Sequence, residues 1–561
     1  MAGDLEEDGA VVFDLVDDDA VDGDAPSGHA PAGRAGAAGA DLDGARGSSA
    51  DETSSGWSLL GGALGVRLRL LAPAAAVLAI ALGTGYVLDG VREAARVDAV
   101  REVGGGVVDV SAPLTELWEW EGAVGSGIFG AEGGPAQVAA LGDLLVFMSE
   151  DDLLALEPAS GAEAWAIPLG EDPECGPTGY PGWEPVATAT VVCVSGPTAD
   201  REVIAVGPDG VPSAPRALDP ADLARYGSAR PGPAGTVLRA ARAGTGSAPD
   251  GGDARCATPD ECTGTVESGQ DIVVRAADAV TGEERWTVTA GFVATPAAAC
   301  TTRRSRTWDG TISLASGDDA LDREAFGARI GTGHVDLYGC GANASITAEG
   351  ALLRGVGEPG AGRIAGLTTG GYVASAYGSA THNTVYSADG EALAELVGYP
   401  FEASVVDGVG TLLGADESGS RLHAYEPDGT PRWAGAAGSR FVWFAAEVGD
   451  TAVLLADDGA VHGLDVSTGR ERWVWTPAER AEDAPPWNGS DYQAFTDGRH
   501  VLLRLPDAVR GTALVSLDVA SGEHLWDAAL ADVLRLRRDT SLVAVDGNLL
   551  AVAPEGVRGL G

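Results

Sequence analysis

Lysine is absent from this chain, so all 36 basic residues are arginine. That absence removes whole classes of chemistry. No P-loop, no kinase-type lysine and no Schiff-base lysine for pyridoxal phosphate or a carbonyl substrate can be assembled. Histidine is scarce as well: His29, His334, His382, His423, His462, His500 and His524 show neither an HExxH nor a paired-ligand spacing. His423 and His462 occupy equivalent positions of a repeat described below, but Leu154, Arg275 and Val515 stand there in other copies, which points to variable strand positions rather than ligands. No CxxC and no GxSxG occurs, so zinc ribbons, thioredoxin-like redox chemistry and the hydrolase elbow lack support.

Positive charge is also in deficit, with 83 acidic residues and a formal net charge of -47. Phosphate backbones need clustered cations, so nucleic acid is not an expected partner. The charge fits a solvated, self-repelling surface, or a plain compositional bias toward Ala, Gly, Asp and Arg.

What is present falls into segments. Residues 1–66 join acidic clusters (Asp4, Glu6, Glu7, Asp8; Asp17, Asp18, Asp19) to a Gly/Ala/Ser/Pro tract and read as a disordered acidic tail on the cytoplasmic side. An apolar island inside it, Val11–Val16, has the form of a short linear motif for a cytoplasmic partner. Residues 67–89 contain the apolar run Leu70–Leu88, close to the ~20 residues a helix needs to cross a bilayer. Arg67 and Arg69 precede it, and Arg92 and Arg96 follow it. With these counts nearly balanced, the orientation preferred is amino terminus inside. The expected location is therefore the cytoplasmic membrane, in a single pass. Residues 90–113 read as a stalk or linker, broken by Gly104-Gly105-Gly106, and residues 114–561 as the extracytoplasmic domain.

That last segment repeats one phrase: a short apolar strand, an acid, a Ser/Thr-Gly turn, then Trp. The clearest copies are Leu464-Asp465-Val466-Ser467-Thr468-Gly469-Arg470-Glu471-Arg472-Trp473 and Leu517-Asp518-Val519-Ala520-Ser521-Gly522-Glu523-His524-Leu525-Trp526. Others end at Trp165, Trp286 and Trp433, and copies without Trp surround Asp209-Gly210 and Asp389-Gly390. Asp/Ser/Thr followed by Gly makes a tight hairpin, and Trp brings a flat face with one N–H donor into the next strand. Trp433 to Trp473 is 40 residues and Trp473 to Trp526 is 53, each the length of one four-stranded blade. Since Gly556-Val557-Arg558-Gly559-Leu560 echoes the strand before a missing turn and Trp, Leu117-Trp118-Glu119-Trp120 is expected to pair there and close a ring.

The phrase resembles the tryptophan-docking repeat of the pyrroloquinoline-quinone (PQQ)-type propellers, A-x-D-x-x-T-G-x-x-x-W, over about residues 114–561. The resemblance implies an all-β protein of bacterial type, a β-propeller of four-stranded blades numbering eight at best guess within a range of seven to nine. Its structural docking residues would be Trp118, Trp165, Trp286, Trp433, Trp473 and Trp526. In the enzymes of that fold a disulfide between adjacent Cys covers the cofactor, with carboxylates and calcium nearby. No two Cys are adjacent here and no residue matches the calcium ligands or the catalytic Asp.

All six cysteines follow the apolar run. Proximity suggests Cys175–Cys193, Cys256–Cys262 and Cys300–Cys340 as disulfides in an oxidising compartment, though other pairings and free thiols stay open. Asn343-Ala344-Ser345 and Asn488-Gly489-Ser490 are formal glycosylation sequons. Insertions at about Ala241–Gln270 and Thr476–Tyr492, the latter with Trp487, are candidate partner-binding loops. The function expected is a non-catalytic scaffold binding an envelope protein or small ligand, with no catalytic, metal or cofactor residue assigned. The alternatives are a PQQ- and calcium-dependent alcohol or sugar dehydrogenase, and a sensor relaying its ligand state across the membrane.

Overall fold

A computed structural model describes residues 95–125 and 137–561 except 178–186, 198–199, 244–252, 259–260, 302–304, 307–311, 314–320, 325, 354–363, 376–382, 417–420, 437, 478–491, 508–510 and 534–539. The acidic tail, the apolar run of 67–89 and Trp487 lie outside the described residues. Among those residues no helix is long and apolar enough to cross a membrane.

Strands dominate because the apolar runs are short, rich in Val and Leu, and end in Gly or Asp turns. Strands covered on both faces are continuously apolar, as in Thr451–Ala456, where all six residues are buried. Strands at an outer edge alternate, as in Glu284–Ala290. Of twelve sheets among the described residues, three are two-stranded, and the other nine follow one another along the chain. The first sheet opens with Ala139–Leu141 and ends its hairpins with Glu163–Pro168. The second runs from Glu174–Gly176 to Arg216–Ala217, the third from Arg230–Pro231 to Glu284–Ala290, and the fourth from Phe326–Ile330 to Ala344–Thr347. The fifth runs from Ile364–Gly366 to Ala392–Leu396 and the sixth from Tyr399–Phe401 to Pro431–Ala436. The seventh contains Phe441–Val448 to Glu471–Trp475, and the eighth Gln493–Thr496 to His524–Ala529. The ninth holds Ser541–Val545, Asn548–Ala553 and Gly556–Leu560, and its outer strand is Glu116–Glu121 from the other end of the domain.

Each sheet buries apolar side chains against the next, and the ninth does so against the first. Phe147, Leu154 and Leu156 of the first sheet, for example, pack with Leu550, Val552 and Val557 of the ninth. Separate clusters join the eighth to the ninth through Leu502, Trp526 and Leu549, and the seventh to the eighth through Val453, Trp473 and Leu503. The arrangement is propeller-like. The nine larger sheets among the described residues lie within the expected range of seven to nine, one above the best guess of eight: the copies without Trp still build sheets, because hairpin and apolar content suffice for a strand pair even where the tryptophan is replaced.

Residues 95–113 also differ from a free stalk. Residues 95–102 are helical, and Val100, Val107 and Val110 are buried. Backbone bonds run from Val107 N to Thr496 O at 2.8 Å and from Val108 N to Gly547 O at 2.9 Å. The Arg96 guanidinium donates to the carbonyl of Asp497. The circuit of sheets thus recruits chain from well before residue 114.

Candidate functional site

The repeated turn is a local hydrogen-bond device. The Asp465 carboxylate accepts from the backbone N–H groups of Ser467 and Thr468 at 3.1 and 2.9 Å, and from their hydroxyls at 2.7 and 2.8 Å. These bonds, with the Arg472 guanidinium at 2.5 Å, hold its carboxyl far below the usual range. Asp278 is fixed in the same way by Thr281, and its carboxyl is lowered to about 2.

The tryptophans then tie one sheet to the next. Trp433 donates its indole N–H to Val466 O at 2.7 Å, Trp473 to Val519 O at 2.8 Å, Trp286 to Ala348 O at 2.9 Å and Trp118 to Pro158 O at 3.1 Å. In each case the carbonyl belongs to the turn of the following sheet. The ring also covers the turn glycine: a Cβ on Gly469, whose φ is +68°, would meet the Trp433 ring at 2.6 Å. Trp165 lies over Gly210 in the same manner, but its indole N–H is buried without a hydrogen-bond partner.

Two features of this system are not visible as a Trp motif. The first is Arg216, in the outer strand of the second sheet, which donates from Nε to Ala279 O at 2.9 Å and lies over Gly282. It occupies the place of a tryptophan, offering a flat group with an N–H donor. The second is at the seam. Trp526 donates to Val110 O at 3.0 Å, and Asp109 accepts from Ser111 N at 2.8 Å. Residues Val108-Asp109-Val110-Ser111 therefore form the turn of the ninth sheet, and Trp118 nine residues on from Asp109 is its tryptophan. The spacing between Asp109 and Trp118 was the signal available in the sequence; the Gly missing from the turn hid it.

Buried polar groups add further ties. Glu447, fully buried in the seventh sheet, accepts from the N–H groups of Val409, Gly410 and Thr411 before the sixth sheet's second strand at 2.7, 3.1 and 2.6 Å. Glu402 accepts from Thr368 N and Oγ1 at 2.7 and 2.6 Å, and burial pushes its carboxyl upward. His462 is held by Glu471 at 2.8 Å in the seventh sheet, whereas His423 stacks on Tyr425 in the sixth, so the two histidines share no site. Among the described residues no group of three or more His, Cys, Asp or Glu is arranged to hold a metal ion.

The six cysteines form Cys175–Cys193, Cys256–Cys262 and Cys300–Cys340, with Cα separations of 4.1, 4.1 and 4.4 Å. Cys175–Cys193 bridges neighbouring strands of the second sheet. The other two meet in a small core with Ala254, Val266 and Ala297, built from the insertion within the third sheet and from the segment that leads to the fourth. Beside the second sheet, Leu218, Pro220, Leu223 and Ala229 line a cleft together with Arg201 and Arg239. This cleft lies on the arc that also carries the disulfides.

The family model for the outer membrane protein assembly factor BamB matches residues 368–558. No curated protein matches the chain. Among solved structures, BamB from Moraxella catarrhalis is similar at 13% identity and a TM-score of 0.33, covering 80% of this chain and 99% of its own. The computationally designed protein Ika8 is similar at 12% identity and a TM-score of 0.35, over 79% and 99% of the two chains. AztD from Citrobacter koseri is similar at 10% identity and a TM-score of 0.30, over 70% and 95%.

Proposed function

We propose that the protein is a membrane-anchored, nine-bladed β-propeller that acts outside the cytoplasm as a non-catalytic binding scaffold. The observation that carries this reading is the division of labour within the circuit. The repeat residues are committed to turns and sheet-to-sheet ties, while the three disulfides brace an arc, residues 175–340, that carries the insertion and the arginine cleft. Disulfides support an oxidising compartment, and such a compartment agrees with a reading in which the apolar run of 70–88 is the anchor and the acidic tail lies inside. The family match over 368–558 supports a role in protein assembly at the envelope.

A sensor is the second reading, and one observation favours it. The residues that follow the expected span close the circuit themselves, through Val110 and Trp118. Strain at the ninth sheet would therefore reach the span through a few residues.

The test is uptake of PQQ and calcium by the purified full-length protein, followed by absorbance and a dye-coupled alcohol oxidation assay. The expected outcome is no uptake by folded protein. Stoichiometric PQQ binding with turnover would replace the scaffold by a membrane-tethered dehydrogenase. Protease protection of the tail in sealed membrane vesicles checks the orientation.

A further inference from the structure

The three disulfides differ in what covers them. Cys175 and Cys193 lie in the core between the first and second sheets at 4% and 1% exposure, and Cys300 and Cys340 are each at 2%. Of the six cysteines Cys262 alone is half-buried, while its partner Cys256 is buried. The pair closes a hairpin of Arg255–Thr258 and Glu261–Thr263, in which Cys256 stands directly opposite Cys262. Glu261 and Thr263, on either side of Cys262, are exposed. Among the described residues this two-stranded sheet joins no larger one. A lone hairpin is marginally stable in water, so the cross-link carries much of its order.

We propose that Cys256–Cys262 is a reducible clasp on the insertion, a site of thiol–disulfide exchange at which a dithiol reductant frees the hairpin while the other two disulfides persist. Access decides which bond reacts, because the attacking thiolate must reach a sulfur. The reductant's thiolate attacks Cys262 Sγ, the Sγ–Sγ bond breaks, and Cys256 leaves as a thiolate that takes up a proton. The reductant's second thiol then displaces Cys262, so the protein gains two thiols and the reductant becomes a disulfide, with two electrons and two protons passed to the protein. Cys256 Sγ lies 3.8 Å from Ala297 O, so the thiol formed there meets an acceptor within the core. That core keeps its own cross-link, Cys300–Cys340, together with Ala254, Val266 and Ala297. The base of the hairpin is held as well, since Ala297 N donates to Gly264 O at 3.0 Å. Opening the clasp therefore loosens the hairpin and leaves the floor beneath it in place. The clasp works in the same way on a scaffold or a sensor.

The experiment exposes the full-length protein in detergent to graded dithiothreitol without denaturant, blocks thiols with iodoacetamide at set times and reads each cysteine by mass spectrometry. The expected result is joint labelling of Cys256 and Cys262, about tenfold or more ahead of the other four cysteines and before any loss of the folded circular dichroism signal. Labelling of all six at one rate, or of another pair first, overturns the clasp. Hydrogen exchange then compares the native chain with the selectively reduced protein and with the double variant Cys256→Ser, Cys262→Ser. Faster exchange is expected in Arg255–Thr258 and Glu261–Thr263 and no change in the fourth sheet. If the double variant does not fold, the reduced native chain carries this arm. Unchanged exchange in the hairpin overturns its release, and faster exchange through Phe326–Ile330 and Ala344–Thr347 overturns its confinement. With glutathione as the reductant the trapped mixed disulfide should fall on Cys262; an adduct on Cys256 overturns the order of attack.

Discussion

The arc from the sixth sheet to the ninth and the arc from the second to the fifth follow one plan with different bonds. In the first arc the ties are indoles: Trp433, Trp473 and Trp526 each donate to a turn carbonyl of the next sheet. In the second arc, among the described residues, only Trp286 does so. Arg216 replaces one indole, Leu353 lies near Gly390 in place of another, and Ala394 contacts Gly429 at a third. The same arc carries all three disulfides. The covalent ties and the indole ties therefore concentrate in different arcs. The family model matches residues 368–558, the arc of regular copies together with most of the fifth sheet.

The contrast can be broken most sharply at Trp473, which is buried and bonded. Trp473→Ala is expected to cost about 4 kcal/mol, from lost packing and an orphaned Val519 carbonyl. Urea unfolding measures it, and a loss under about 1 kcal/mol would remove the indole from its place as the main tie of that arc. Opening Cys300–Cys340 by a double Cys→Ser change is next, at about 3 kcal/mol for a separation of 40 residues. Proteolysis should then begin within the insertion core around Ala297; first cleavage in the seventh or eighth sheet would contradict the division into arcs.

A smaller effect separates charge from shape at Arg216. Arg216→Ala should cost about 2 kcal/mol and Arg216→Lys nearly as much, since lysine lacks the flat Nε–H donor, whereas Arg216→Trp should retain most of the stability. Equal stability of the lysine variant and the native chain would show that charge alone serves there. The smallest expected effect is acid sensitivity of the turns, which both arcs share. The Asp278 carboxyl is held at about 2, so its contribution is present above the ordinary carboxylate range and disappears as pH falls from about 4 to 2. Unfolding midpoints of Asp278→Asn should flatten across that window relative to the native chain; an unchanged slope would assign the acid loss elsewhere.

How much of this could be read in advance follows from how local each signal is. Asp, Ser/Thr, Gly and Trp within ten residues define a turn and a docking strand by themselves, so the all-β repeat and the pairing of Leu117–Trp120 with the Gly556–Leu560 strand were legible. Arg216 was not, because an arginine in a strand has many other uses and only the distance to Ala279 shows which one it serves. Val110 was not, because its turn lacks glycine and its partner, Trp526, is 416 residues away.

The sequence by itself determined the chemistry that is excluded, the hairpin-and-tryptophan unit and the apolar run of 70–88, since each depends on composition or on neighbours along the chain. Tertiary structure decided the count of nine larger sheets among the described residues, the docking of residues 95–113 and the substitution of a guanidinium for an indole. These depend on which surfaces meet once every sheet has found the next. Packing tolerates several side chains at such a meeting, provided that the donor, the flat face and the volume are supplied.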